Sequence, residues 1–110
     1  MLLLQGIGAK EPHSVPAEKT WTSFRRDVLT YKGTSYITTN APIFIHQFSH
    51  AWYDFRNRWV AYTDYYENSV NATKAHKMWT LDFLKPKFPK SYSENCWGVS
   101  DSDSVDGLFL

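Results

Sequence analysis

Thr39-Asn40-Ala41-Pro42-Ile43-Phe44-Ile45-His46-Gln47-Phe48-Ser49-His50-Ala51-Trp52-Tyr53-Asp54-Phe55 is the stretch on which the reading of this chain turns. It opens on a helix-start signal. Short polar side chains can accept the unpaired N–H groups of a first turn, and proline is tolerated there because its missing N–H would have no partner anyway. A helix is therefore expected over 42–55. It carries Phe44, Phe48, Trp52, Tyr53 and Phe55 and is apolar almost all round, which calls for burial among other helices.

Upstream, Met1 to Gly8 reads as the last turns of a helix and Lys10 to Ser14 as a loop. Ser14 can cap a helix with Pro16 in its first turn, and Trp21, Phe24 and Val28 follow at helical spacing, so a helix is expected over 16–29. Tyr31 to Ile37 breaks that period around Gly33, between residues that favour strands, and reads as a short hairpin or extended loop.

Downstream, Arg56-Asn57-Arg58 ends the central helix. Asp64 with Glu67 three positions on resembles a capping box, and the longest helix is expected over 65–81. Pro86 and Pro89 stop it, Ser93 to Gly98 forms one short turn, and the acidic tail from Asp101 to Gly107 is expected to be irregular. The expected class is all-α. Three helices with long loops make a poor closed globule, so the chain reads as a fragment of a larger helical domain.

Composition narrows the function classes. The chain has 110 residues, enough for one domain, and a formal net charge of +1 with 21% charged residues, which offers no electrostatic footprint for nucleic acid or an anionic membrane. Met1-Leu2-Leu3-Leu4 lacks a basic flank and ends too soon for a signal peptide, and no apolar run is long enough to span a bilayer. Cys96 is the single cysteine, so no internal disulfide forms and no Cys/His metal spacing surrounds it. Aromatic residues make up 17% of the chain; most should pack a core, while Tyr and Trp also offer flat faces with a polar edge that suit sugar rings.

The chemistry-bearing residues cluster on the central helix. His46 and His50 sit one turn apart, as in the HExxH zinc motif, but Gln47 occupies the glutamate position and the mechanism of that motif is lost. No metal and no cofactor is expected. The two imidazoles are either core histidines with hydrogen-bond partners or, with Gln47 and Asp54, the lining of a polar pocket. Glycoside hydrolysis needs two carboxyl groups across one bond, and the candidates are Asp54, Glu67, Glu94 and Asp101. Glu67 has a capping role as its alternative, and Asp101 a surface one. Glu94 stands beside Asn95 and Trp97, an acid, an amide and an aromatic ring together. No GxSxG elbow, GxGxxG turn or Walker loop is present, and the Asn71-Ala72-Thr73 glycosylation pattern falls in mid-helix.

Taken in order, Pro42 to His50, Trp52 to Arg56, Asp64 to Thr73, and Tyr92 to Gly98 with Ser100-Asp101 resemble the glycoamylase-like domain, as do Leu2 to Leu4, His13 to Glu18 and Trp21 ahead of them. That family includes endo-β-1,2-glucanases and a domain of cyclic β-1,2-glucan synthases. The resemblance implies an internal fragment, residues 1–110, of an (α/α)6 barrel whose other helices lie upstream and downstream. It implies a periplasmic or extracellular parent that hydrolyses a β-glucan, and an oligo- or polysaccharide partner. With part of the catalytic set missing the isolated chain is expected to be inactive, and the apolar helix that three helices cannot cover is expected to make it self-associate through exposed aromatic surface. Glu94 and Asp54 are the implied catalytic acids, with the family's principal acids upstream of Met1. His46, Gln47, His50, Arg56, Glu67, Asn95, Trp97 and Asp101 are the implied substrate-binding set. Ser100-Asp101-Ser102-Asp103 departs from the family's Ser-Asp-Gly-Pro turn. The alternatives are a non-catalytic or vestigial sugar-binding module and a plain helical interaction fragment.

Overall fold

A computed structural model describes residues 27–37, 42–60 and 63–100, and the backbone of 102–104 and 107–109. Lys32-Gly33 makes the first tight feature. Both residues take positive φ, 47° and 80°, the left-handed pair that joins two strands with the right-handed twist of a hairpin. Glycine is suited to this because it has no Cβ to clash. Strand β1 (Val28–Tyr31) therefore pairs with β2 (Thr34–Ile37), from Val28 opposite Ile37 to Tyr31 opposite Thr34. Thr30 and Ser35 share a hydroxyl hydrogen bond of 2.8 Å across the ladder.

Of the two alternatives for Tyr31 to Ile37, the hairpin is the one formed. It takes Val28 and Leu29 out of the helix expected over 16–29, because their backbone groups serve the ladder instead. The remainder of that expectation, and those for Met1 to Gly8 and Lys10 to Ser14, fall outside the described residues.

The helix expected over 42–55 is much shorter. Helix α1 spans Phe44–Gln47 and tightens into a 3-10 turn at Phe48–Ala51. Ile43 stands at its cap position and has no side-chain oxygen to offer, and none of these eight residues is buried. Short helices hold in water mainly through packing, and little packs here. The chain then leaves through a turn at Arg56-Asn57, where Asn57 takes φ 58°.

Strands β3 (Trp59–Val60) and β4 (Thr63–Asp64) form a two-rung ladder that delivers the chain to the longest helix, α2 (Tyr65–Trp79). The Asp64 carboxylate accepts from the N–H groups of Tyr66 at 2.9 Å and Glu67 at 3.0 Å, so the expected N-cap is formed. The helix widens into a π turn at Thr80–Leu84, closed by the Lys85 N–H donating to the Thr80 carbonyl at 3.0 Å. Pro86, which has no N–H to continue the ladder, follows.

The Ser93-to-Gly98 turn is tight, with Ser93 and Cys96 exchanging two backbone hydrogen bonds of 2.7 and 3.1 Å. The tail is not irregular as expected: β5 (Ser102–Ser104) pairs with β6 (Gly107–Phe109). The described residues are thus mixed α and β. This overturns the expectation of an all-α piece of an (α/α)6 barrel, because short hairpins satisfy backbone groups that helices were to have served.

The core lies between β2 and α2. Ala72, Ala75 and Thr80 are the buried residues on the helix side, and their small side chains let the strand approach closely. Asn68 fixes one end of the contact. Its carboxamide accepts from the Ile37 N–H at 2.6 Å and donates to the Ile37 carbonyl at 3.1 Å, continuing the ladder from a helix. Asp82 fixes the other end, accepting from the Tyr31 hydroxyl at 2.5 Å and pairing with the Lys32 ammonium at 2.5 Å.

Candidate functional site

The first two turns of α2 and the α1 segment face each other across a cleft. Tyr66, Ser69, Val70, Thr73 and Lys74 recur at intervals of three and four and so occupy one face of α2. His46, Gln47 and His50 form the opposite wall, and the cleft holds about 390 Å³. A second cleft of about 470 Å³ adjoins it through His50 and Tyr66 and is otherwise lined by Ala51, Trp52, Tyr53, Asp54 and Arg56.

Ser69 ties the two walls together. Its hydroxyl has one proton, with the carbonyls of Tyr65 at 3.0 Å and His46 at 3.1 Å in reach. The His50 Nε2 lies 2.9 Å from the same oxygen, and the imidazole tautomer decides which of the two donates. The Ser69 hydroxyl thus stands among two backbone carbonyls and one imidazole, each within 3.1 Å. The His50 ring also packs edge-on to Phe55 with centroids 4.8 Å apart.

His46 is half-buried, with its ring edge-on to Tyr36 at 5.8 Å. Burial first, then charge on His76 and on His50, pushes it below the usual imidazole range. In the second cleft, Asp54 and Arg56 form a fork: Nε donates to one carboxylate oxygen at 2.9 Å and an Nη to the other at 2.8 Å, while the Arg56 backbone N–H adds a third bond at 3.0 Å. These hydrogen bonds hold the Asp54 carboxyl well below the usual carboxylate range. It is kept ionised, so it can accept hydroxyls or steady positive charge but is ill suited to give up a proton.

The sequence candidates do not all gather here. His46, Gln47, His50, Asp54 and Arg56 line the paired clefts, whereas Glu94, Asn95 and Trp97 lie in the Ser93–Cys96 turn and just after it, and line neither. Lys77 lies 5.6 Å from the Trp97 ring centre, and Glu94 faces Lys77 at 3.8 Å and Lys85 at 4.0 Å. Tyr66 and Lys77 are eleven positions apart on α2, about 16 Å along its axis. Glu67 is exposed on the first turn and lines neither cleft, and Asp101 falls outside the described residues.

Among the described residues no three His, Cys, Asp or Glu side chains gather closely enough to hold a metal ion. Trp52, Tyr53, Tyr66, Ser69, Thr73 and Lys74 are cleft residues that the sequence reading did not single out; the three- and four-residue spacing on α2 was the available signal for the last four. A family model described as "Putative glucoamylase" matches residues 1–107. No curated protein and no solved structure matches the chain.

Proposed function

Since this chain belongs to the glycoamylase family, a carbohydrate-related domain family, we propose that its paired clefts hold a glucan chain within a glycoside hydrolase, with β-1,2-linked glucan as the substrate class. The second cleft carries the proposal. Trp52, Tyr53 and Tyr66 bring flat rings to one opening, and the Asp54–Arg56 fork brings fixed donors and acceptors beside them. A pyranose offers a matching pair of surfaces, apolar C–H faces for the rings and hydroxyls at the edge for the fork. Arg56 has five N–H donors and a side chain 67% exposed, so it has donors left after pairing with Asp54.

Cleavage needs a second, proton-giving carboxyl, and Asp54 is the one carboxylate lining either cleft among the described residues. That observation favours a second reading, a sugar-binding module without catalysis of its own. Both readings place sugar in the same clefts, and they part on turnover.

Calorimetric titration with linear β-1,2-gluco-oligosaccharides, and with α-1,4-linked ones for comparison, tests the reading. Trp52 is 78% exposed, so Trp52→Ala should leave the melting temperature nearly unchanged. It should weaken binding several-fold to about tenfold, the scale of a lost ring contact. Binding that ignores Trp52→Ala removes the cleft from the account, and preference for the α-1,4 series removes the β-1,2 assignment. Reducing-sugar release by the chain would favour the hydrolase over the binding module.

A further inference from the structure

The segment Trp97–Ser100 lies against the later turns of α2, and a side chain of that helix fastens its backbone there. The Val99 N–H donates to His76 Nε2 at 2.9 Å. An imidazole nitrogen that accepts an N–H carries no proton, so His76 is neutral with its proton on Nδ1. We propose that His76 is an acid-operated latch: protonation at Nε2 ejects the Val99 N–H and releases the Trp97–Ser100 segment from α2.

The chemistry leaves no other way to charge this ring. Nδ1 already holds its hydrogen, and the Nε2 lone pair is the one used by Val99, so a proton and the Val99 N–H compete for a single site. Burial of the half-buried ring lowers the pKa of His76, in keeping with a neutral ring. The charged groups around it favour release once it is protonated. From its own helix Lys77 is the next residue, and from α1 His46 is near enough to feel its charge. From the segment side Glu94 is the anion among the described residues, and it is held by Lys77 and Lys85. Those ion pairs do not involve His76, so the Ser93–Cys96 turn stays in place while the chain beyond it comes away. Trp97, which packs on Lys77, is the side chain whose position then depends on pH.

The sign follows from linkage. The Val99 bond needs the unprotonated Nε2, so docking is fully favoured above the ordinary imidazole pKa of about 6.5 and weakens as pH falls below it. With one proton taken up, the opening equilibrium changes by at most about tenfold per pH unit.

Two measurements on the full 110-residue chain test this. Long-range proton–nitrogen spectra at pH 7.5 should show His76 as the neutral Nδ1–H form; the Nε2–H form, or a charged ring, overturns the proposal. Amide exchange at Val99, followed from pH 8 to 5, should lose protection in the parent chain. In His76→Gln it should not, because the glutamine oxygen can accept the same N–H and does not titrate. Parallel pH profiles in the two proteins overturn the latch. If His76→Gln fails to fold, the parent chain still decides it: the Val99 amide shift must titrate with the His76 ring, and a Val99 shift indifferent to that titration refutes the proposal.

Discussion

Asn68→Ala is expected to loosen the hairpin from α2. The Asn68 carboxamide makes two bonds to one peptide unit, at 2.6 Å to the Ile37 N–H and 3.1 Å to the Ile37 carbonyl. A neutral hydrogen bond contributes about 1 kcal/mol net, and each polar group left without a partner out of water costs about 1–3 kcal/mol. Ile37 is half-buried, so water can reach its peptide in part, and the lower end applies. Alanine is the better helix former and returns up to about 0.7 kcal/mol. The net loss is about 1.5–3 kcal/mol, or roughly 6–20 °C in melting temperature for a domain of this size.

Thermal and urea unfolding followed by circular dichroism measure this loss, and amide exchange along β2 locates it. Asn68→Asp sharpens the test. It keeps an acceptor for the Ile37 N–H but turns the second contact into oxygen facing oxygen at neutral pH. Acidification, which lets the carboxyl donate, should recover part of that loss. A change below about 0.5 kcal/mol for Asn68→Ala, within the range of an ordinary surface substitution, would refute the role given to Asn68. Unchanged exchange in β2 would do the same.

Three further outcomes are expected. Asp64→Ala removes the acceptor for the Tyr66 and Glu67 N–H groups and should cost about 1 kcal/mol in urea unfolding; Asp64→Asn, which keeps an oxygen there, should cost less. Carbon-detected titration of Asp54 should find it still ionised at pH 4, and Arg56→Ala should bring it back toward the ordinary carboxylate range; a parent midpoint near 4 refutes the fork. The hydrogen bond to Asp82 pushes the Tyr31 phenol up to about 12, so its contribution to stability is complete below pH 10 and is lost as pH rises toward 12. Burial raises Tyr36 as well, so ultraviolet titration should show fewer late-ionising tyrosines in Asp82→Ala than in the parent, the difference being Tyr31.

What the sequence by itself determined are features whose cause lies within a few residues. Gly33 turned the chain, Asp64 started α2, and the Ser93–Cys96 turn closed on its own peptide groups. Each rests on backbone geometry or on a side chain bonding its near neighbours, which no distant contact has to supply. The family likeness was legible for a related reason, since it rests on the order of several motifs along the chain, and the match over residues 1–107 bears out the family while leaving the glucan linkage as a proposal.

Only the tertiary structure decided the rest. Val28 and Leu29 fit a helix by spacing, but the strand opposite them claimed their peptides. Phe44 to Ala51 began as a helix and stopped where nothing covered it. The candidate site divided because Arg56 took Asp54, Ser69 took His50, and Lys77 with Lys85 took Glu94 about three turns away. Spacing along a chain places residues on a face of their own helix; which partner meets that face depends on how separate elements dock, and a local pattern carries no record of that.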